Sequence, residues 1–316
     1  MKWFKNLSTA KKIILVVAVI VFLTVSIIKT YFPQVGLSSW TSDINFIASG
    51  KPDNAENKYL SVHFIDVGQG DCTLIKTEKC NALIDAGNSI NGEDISEYLL
   101  SHNVQTLDYL IITHPHSDHY GGATRMIDFI EVKNVMMPEI PEALYADEHD
   151  FIYLVNKLNK KNVPFIAVRA GDKYEIGDAV ITVLTSAEDG EGLNDKSAVI
   201  RLDYGETSFL FMGDAEKDAE QRLLKSNFNL KCDVLKVGHH GSSNGSSESF
   251  LEKTNPLIAV ISCGYDNEYG HPGEDVLYRI NKTTKAAVLR TDINGNIVIG
   301  SDGEKLYCTF EKGKRH

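Results

Sequence analysis

The chain has 316 residues, 43% hydrophobic and 24% charged, which excludes disorder throughout and leaves room for one large or two ordinary globular domains. Acidic residues outnumber basic ones, 43 to 32, and such a surface argues against broad nucleic-acid binding unless basic residues cluster locally. Five cysteines, Cys72, Cys80, Cys232, Cys263 and Cys308, are odd in number and scattered through apolar runs; they read as small buried hydrophobes rather than as a disulfide framework.

Residues 1–32 read as a membrane anchor. The uninterrupted apolar run Ile13–Ile28 is about the shortest stretch that crosses a hydrocarbon core, and Tyr31 and Phe32 extend it toward an aromatic interface. Lys2, Lys5, Lys11 and Lys12 precede the run and only Lys29 closely follows it. The positive-inside rule then keeps the N-terminus cytoplasmic and exports the remainder, giving a single-pass protein of the cell membrane with an extracellular domain. A cleaved signal peptide is the rival reading, but "SIIKTYFPQ" lacks the small-residue cleavage pattern. Past residue 29 there are 27 basic against 43 acidic residues. Residues 33–58, rich in Ser, Asn, Asp, Gly and Pro without a sustained period, read as a linker to a domain over 59–316.

From Tyr59 onward, short apolar runs bounded by turn residues predict strands in "LSVHFIDVG", "CTLIKT", "NALIDAG" and "LDYLIITH", all in one sheet. A helical stretch "GGATRMIDFI", a strand "NVMMP" and an amphipathic helix over 147–159 follow. After "VPFIAV" the chain turns β-rich in "AVITVLT", "SAVIRLDY" and "TSFLFMGD". It then alternates: helix "AEKDAEQRLLKS", strand "CDVLKVGHHGS", helix "SSESFLEKT", strand "LIAVISCG" and helix "GEDVLYRINKT". The closing strands are "KAAVLRT", "NIVIGSD" and "KLYCTF". This order predicts an α+β fold of two similar halves, their mixed sheets packed together and helices on the outer faces.

The stretch "THPHSDHYGG" places His114, His116, Asp118 and His119 within six positions behind an apolar strand. Alternation sends His114 and His116 to the same side, and the turn brings Asp118 and His119 near them. Three imidazoles and a carboxylate on one short loop supply most of two adjacent metal sites.

"HPHSDH" is the HxHxDH motif of the metallo-β-lactamase superfamily, which the chain resembles. The segments "FIDVGQGDCTLI", "LIDAG", "SAVIRLDYGETSFLFMGD", "VLKVGHHGS", "ISCGYDNEYGHP" and "LRTDINGNI" resemble, in the same order, the exported hydrolase-like domain of ComEC-type DNA-uptake proteins over residues 60–310. The multi-helix channel of those proteins has no counterpart here. The resemblance implies an αββα sandwich of the metallo-β-lactamase fold. It also implies two divalent ions, Zn or Mn, with His114 and His116 at the first position and Asp118 and His119 at the second. Asp214 would bridge the two ions. His239 would complete the second position, favoured over the adjacent His240, which alternation sends the other way.

One departure is plain. The superfamily places a third first-position histidine before the bridging aspartate, yet no His lies between His149 and His239. Asn194, Asp195 and Ser197 are the polar candidates there, and an oxygen donor would make the position harder and more open, favouring Mn or leaving one metal weakly held.

By resemblance the loop with Asp66, Gln69 and Asp71 lies at the metal centre, where Asp118 or Asp71 helps hold the attacking water. Asp85 could orient a ligand histidine. His271, after a strand end, either contacts substrate or donates a proton, and Lys236 and Ser242 are candidates for binding a substrate oxygen. The implied activity is metal-assisted hydrolysis of a phosphodiester, with extracellular DNA as the candidate polymer. Two alternatives stand beside it. One is a hydrolase of β-lactams, phosphorylcholine or other envelope phosphoesters, which suits the acidic surface; the other is a non-catalytic metal-binding accessory of DNA uptake.

Overall fold

The computed structural model describes residues 59–146, 148–185 and 192–311. The expected anchor over 1–32 and linker over 33–58 lie outside the described residues, and among those described no helix is long and apolar enough to cross a membrane.

Short runs rich in β-branched and aliphatic residues form an antiparallel meander, β1 (Leu60–Phe64), β2 (Thr73–Lys76) and β3 (Asn81–Ile84). After helix α1 (Gly92–Ser101) and the two-residue β4 (Thr106–Leu107), strand β5 (Tyr109–Ile111) lies parallel to β3. The short helices α2 (Ser117–Tyr120) and α3 (Ala123–Met126) lead to β6 (Glu131–Val132), which pairs with β4, and to β7 (Val135–Pro138) beside β5. Helix α4 (His149–Lys160) then connects to β8 (Phe165–Val168).

The second sheet opens with antiparallel β9 (Lys173–Ile176), β10 (Ala179–Val183), β11 (Ile200–Tyr204) and β12 (Thr207–Phe211). It continues in parallel through β13 (Val234–Lys236), β14 (Ile258–Ile261) and β15 (Ala287–Arg290). Helices α5 (Lys217–Lys225), α6 (Glu248–Thr254) and α7 (Glu274–Thr283) make the crossovers. The hairpin β16 (Asn296–Ser301) and β17 (Leu306–Glu311) returns to the first sheet, where β16 pairs with β1. The two orders are β17-β16-β1-β2-β3-β5-β7-β8 and β15-β14-β13-β12-β11-β10-β9.

Strand parity sorts the core into layers. Leu74, Leu83, Leu110 and Ile112 pack under Ile95 and Leu99 of α1, Met126 of α3 and Leu154 of α4. On the second sheet Leu210, Leu235 and Ala259 pack under Leu223 of α5, Leu251 of α6 and Ile280 of α7. The alternate residues face the other sheet, and the rings of Phe64 and Phe211, 6.1 Å apart, join the two. This is the αββα layering expected from the element order. Helix α1 was absent from that expectation although Ile95 and Leu99, both buried, stand at the i, i+4 spacing of a helix face. The helix expected over "GGATRMIDFI" ends at Met126.

Candidate metal centre

The chemistry-bearing segments leave the C-terminal ends of strands: Asp85 follows β3, His114–His119 follow β5, Asp214 follows β12, His239–His240 follow β13 and His271 follows β14. Parallel neighbours open these ends on one side of each sheet, the usual seat of α/β sites. Asp71 reaches the same place from the turn before β2, whose backbone N–H donates to the Asp118 carbonyl at 3.1 Å. That contact needs Gly70, at φ +142, where a Cβ would stand 2.5 Å from the same carbonyl oxygen.

Asp214 is the hub. His119 Nε2 and His240 Nε2 lie 3.2 and 3.6 Å from its Oδ1, and His114 Nε2 and His239 Nε2 each lie 3.7 Å from its Oδ2. Each of these rings has its other nitrogen beside an oxygen. His119 Nδ1 is 2.8 Å from Asp85 Oδ2, His240 Nδ1 is 3.0 Å from the Ser262 carbonyl, and His239 Nδ1 is 2.6 Å from Glu216 Oε1. His114 Nδ1 lies 3.1 Å from Thr113 Oγ1 and 3.3 Å from Ser197 Oγ. A proton held on Nδ1 leaves the Nε2 lone pair for a ligand, which is how metal-binding histidines are oriented. Asp85, fully buried, also accepts from the backbone N–H of Thr113 at 2.8 Å and its hydroxyl at 2.7 Å.

The donor atoms converge in four triads, each within 4.8 Å: His114–His119–Asp214, Asp118–His119–His240, Asp71–Asp214–His240 and Asp71–Asp85–His119. His116 borders them, its Nδ1 2.9 Å from His114 Nε2. The sequence favoured His239 over His240, and the geometry reverses that preference for the second position. His240 is buried with its Nε2 3.2 Å from Asp118 Oδ2, whereas His239 stays on the Asp214 Oδ2 side. The alternation argument fails because both residues leave extended geometry, at φ 46 and 52.

Charge at the centre is balanced by protons. Burial opposes ionisation everywhere, and it pushes His114 well down and His116 down from the ordinary imidazole value. Against burial, Asp214, Asp85 and Asp118 hold His119 well above that value, and Asp214 and Asp71 hold His240 up at about 10. Asp71 falls to about 2 despite burial because Lys236 and His240 adjoin it, and Asp118 and Asp214 also lie below the carboxylate range against burial, His119 being their strongest neighbour. His119 Nε2 and Asp214 Oδ1, 3.2 Å apart and buried, have no hydrogen-bond partner among the described residues. Carboxylates balanced by displaceable imidazole protons, with orphaned donor atoms facing one another, fit a divalent cation.

Other expected residues sit differently. Lys236, expected to bind substrate, is buried on the inter-sheet face of β13, its Nζ 2.8 Å from Asp71 Oδ2 and 3.0 Å from the Val237 carbonyl. Only 2% of its side chain is exposed, so it holds Asp71 and does not reach a substrate. Ser242 is buried too, its N–H donating to the His239 carbonyl at 2.7 Å and its hydroxyl accepting from the Asn244 N–H at 3.3 Å. Gln69 Oε1 accepts from the Gly264 N–H at 3.1 Å. His271 is half-buried at the mouth, between the rings of Tyr269 and His240, and burial with the adjoining His239 lowers its pKa. No motif announces Glu216, since an acidic residue just before a helix is ordinary.

The fold and this cluster define a metallo-hydrolase architecture, and the chain belongs to the metallo-beta-lactamase superfamily, whose family profile matches residues 65–265. Within it the chain resembles ComEC-type proteins. It is 32% identical over 255 residues to ComE operon protein 3 of Bacillus subtilis, covering 75% of this chain and 32% of that one. It is 30% identical over 260 residues to competence protein ComA of Neisseria gonorrhoeae, covering 80% and 34%. The chain thus spans about a third of the length of these curated relatives. Among solved structures, the metallo-beta-lactamase fold protein YhfI of Bacillus subtilis superposes with a TM-score of 0.52 at 15% identity, covering 77% of this chain and 100% of that one, and shares the fold.

Proposed function

We propose that this chain is a metal-dependent phosphodiesterase of the ComEC kind, cleaving DNA outside the cytoplasmic membrane. The observation that carries the metal-dependent part is the Asp214 carboxylate faced by four imidazole Nε2 atoms, each ring having its Nδ1 beside an oxygen. The phosphodiester part rests on the similarity to competence proteins, and the membrane tether on the apolar run Ile13–Ile28 with its preceding lysines.

Bound divalent ions supply Lewis acidity and a more acidic water. The chain's own part is to hold the donors rigid and to manage protons. Asp118, whose side chain is 27% exposed and which His119 and His240 hold anionic despite burial, would accept a hydrogen bond from the attacking water and orient it, since so depressed a carboxylate is a poor proton acceptor. Asp71 cannot swing toward substrate while Lys236 holds it, so it fixes His240 instead. His271, kept neutral by burial and the adjoining His239, serves substrate contact better than proton donation.

The test takes the purified, metal-stripped chain reloaded with Zn or Mn and follows bis-p-nitrophenyl phosphate, single-stranded DNA and a chromogenic β-lactam side by side. Metal-dependent cleavage of the diester and the DNA, abolished in Asp214→Asn, is the expected result. Turnover of the β-lactam alone would replace the phosphodiesterase reading, and failure on all three with metal bound would make the chain a non-catalytic accessory.

A further inference from the structure

The first metal position lacks the histidine that the chain order would supply, and two of the three polar candidates in its place, Asp195 and Ser197, have their side-chain oxygens turned to other partners. Asp195 Oδ1 accepts the backbone N–H groups of Glu216 and Ala219 at 3.2 and 3.1 Å, capping α5 from a distance. Ser197 Oγ lies behind His114, 3.3 Å from its Nδ1, and accepts the Asp214 N–H at 3.1 Å. Asn194 lies beside His239, its amide nitrogen 3.3 Å from that Nδ1, while its Oδ1 is buried with no hydrogen-bond partner among the described residues. Asp195 and Ser197 brace the residues in front of them.

We infer that His239, aimed by Glu216, supplies the missing imidazole of the first position, so that the adjacent His239 and His240 serve different metals across the two oxygens of Asp214. The inference rests on the metal reading above and adds to it the assignment of this histidine and the positioning role of Glu216.

Three observations carry it. His239 Nε2 approaches the same oxygen, Asp214 Oδ2, as His114 Nε2 and at the same 3.7 Å, while His119 and His240 approach Oδ1. Donor atoms about 2.0–2.2 Å from one tetrahedral ion are roughly 3.3–3.6 Å apart, so each imidazole stands near ligand spacing from the oxygen they share; His239 lies outside the four 4.8 Å triads, and ligation requires its ring to draw in toward His114. Second, Glu216 Oε1 at 2.6 Å from His239 Nδ1 fixes the tautomer with Nε2 unprotonated, and Asn244 Nδ2 donates to that carboxylate oxygen at 3.3 Å, bracing it. Third, consecutive residues of a strand point apart, and here left-handed backbone at φ 46 and 52 lets both rings converge on one carboxylate. That conformation is costly for side-chain-bearing residues and persists where the surroundings over-determine it.

The consequence is a first position of three nitrogens, His114, His116 and His239, in place of the one expected from sequence, where an oxygen donor joins His114 and His116. Such a set suits Zn over Mn.

Zinc titration of the metal-stripped full chain by calorimetry, with circular dichroism confirming the fold of each variant, tests it. The wild-type chain is expected to take up two equivalents. Glu216→Gln, which keeps the side-chain shape, weakens one of them about 10- to 100-fold. His114→Ala/His239→Ala retains one tight equivalent, whereas His240→Ala/His239→Ala retains none. An unchanged isotherm in Glu216→Gln and His239→Ala, or one equivalent retained in His240→Ala/His239→Ala, overturns the assignment. A wild-type chain that takes up no zinc overturns the metal reading as well and is told apart by that.

Discussion

Lys236→Met removes one partner of an ion pair enclosed between the sheets, where Nζ stands 2.8 Å from Asp71 Oδ2 and the two side chains are 2% and 6% exposed. Methionine is of similar length and adaptable in shape, so the cost is not one of packing. What remains is a buried carboxylate whose main counter-charge is gone, and breaking such a pair costs about 3–5 kcal/mol. His240 Nδ1, 3.2 Å from the other Asp71 oxygen, offsets part of this and places the expectation near the lower end. A loss of about 3 kcal/mol is roughly a 150-fold shift in the unfolding equilibrium. Urea unfolding of the metal-stripped chain at pH 7, followed by far-UV circular dichroism, reads it directly. In Lys236→Met/Asp71→Asn both charges are gone, and at least half the loss returns. A single variant within about 1 kcal/mol of wild type, or a double variant no more stable than the single, would refute the claim that the pair is an enclosed unit.

Asp85→Asn keeps the shape of the group that accepts His119 Nδ1 at 2.8 Å but removes its charge; zinc affinity falls about 10- to 100-fold by calorimetry, and an unchanged affinity would free Asp85 from this role. The metal-stripped chain has a signed alkaline response. Folding raises the His240 pKa from 6.5 to about 10 against burial, through Asp214 and Asp71, so its contribution is fully present below pH 6.5 and lost as pH rises toward 10. Thermal scans across that window show a decline that flattens in His240→Gln; identical slopes would contradict it.

Much of this was legible in the sequence because strand parity and turn chemistry are local. His114, His116, Asp118 and His119 lie on one short loop, so their convergence needs only the end of β5 and one helical turn. Asp214 came from the family resemblance, since Gly-Asp after an apolar strand is by itself more often a turn or helix N-cap. What escaped depends on distant partners or on backbone that breaks parity. Lys236 in "VLKVG" resembles a ligand-binding cation until β13 is seen between two sheets, where a lysine needs a carboxylate and finds Asp71 from a turn 165 positions earlier. The division of labour between His239 and His240 follows from two left-handed residues that alternation cannot anticipate. Glu216, Ser262 and Thr113 act through single oxygens set by tertiary folding, and no spacing announces them.

The pairing of β1 with β16 sets an order of events during synthesis. Leu60 meets Ser301 and Phe64 meets Ile297, so one edge of β1 has no partner until the ribosome has made more than two hundred further residues. The metal cluster itself needs His240 beside Asp118, and both halves must therefore exist before either is useful. Until then β1 offers an open hydrogen-bonding edge, the kind that recruits other chains. A chain cut before β16 keeps every residue of the cluster yet is expected to aggregate rather than bind metal, and helper proteins that cover an apolar strand would matter most in that interval.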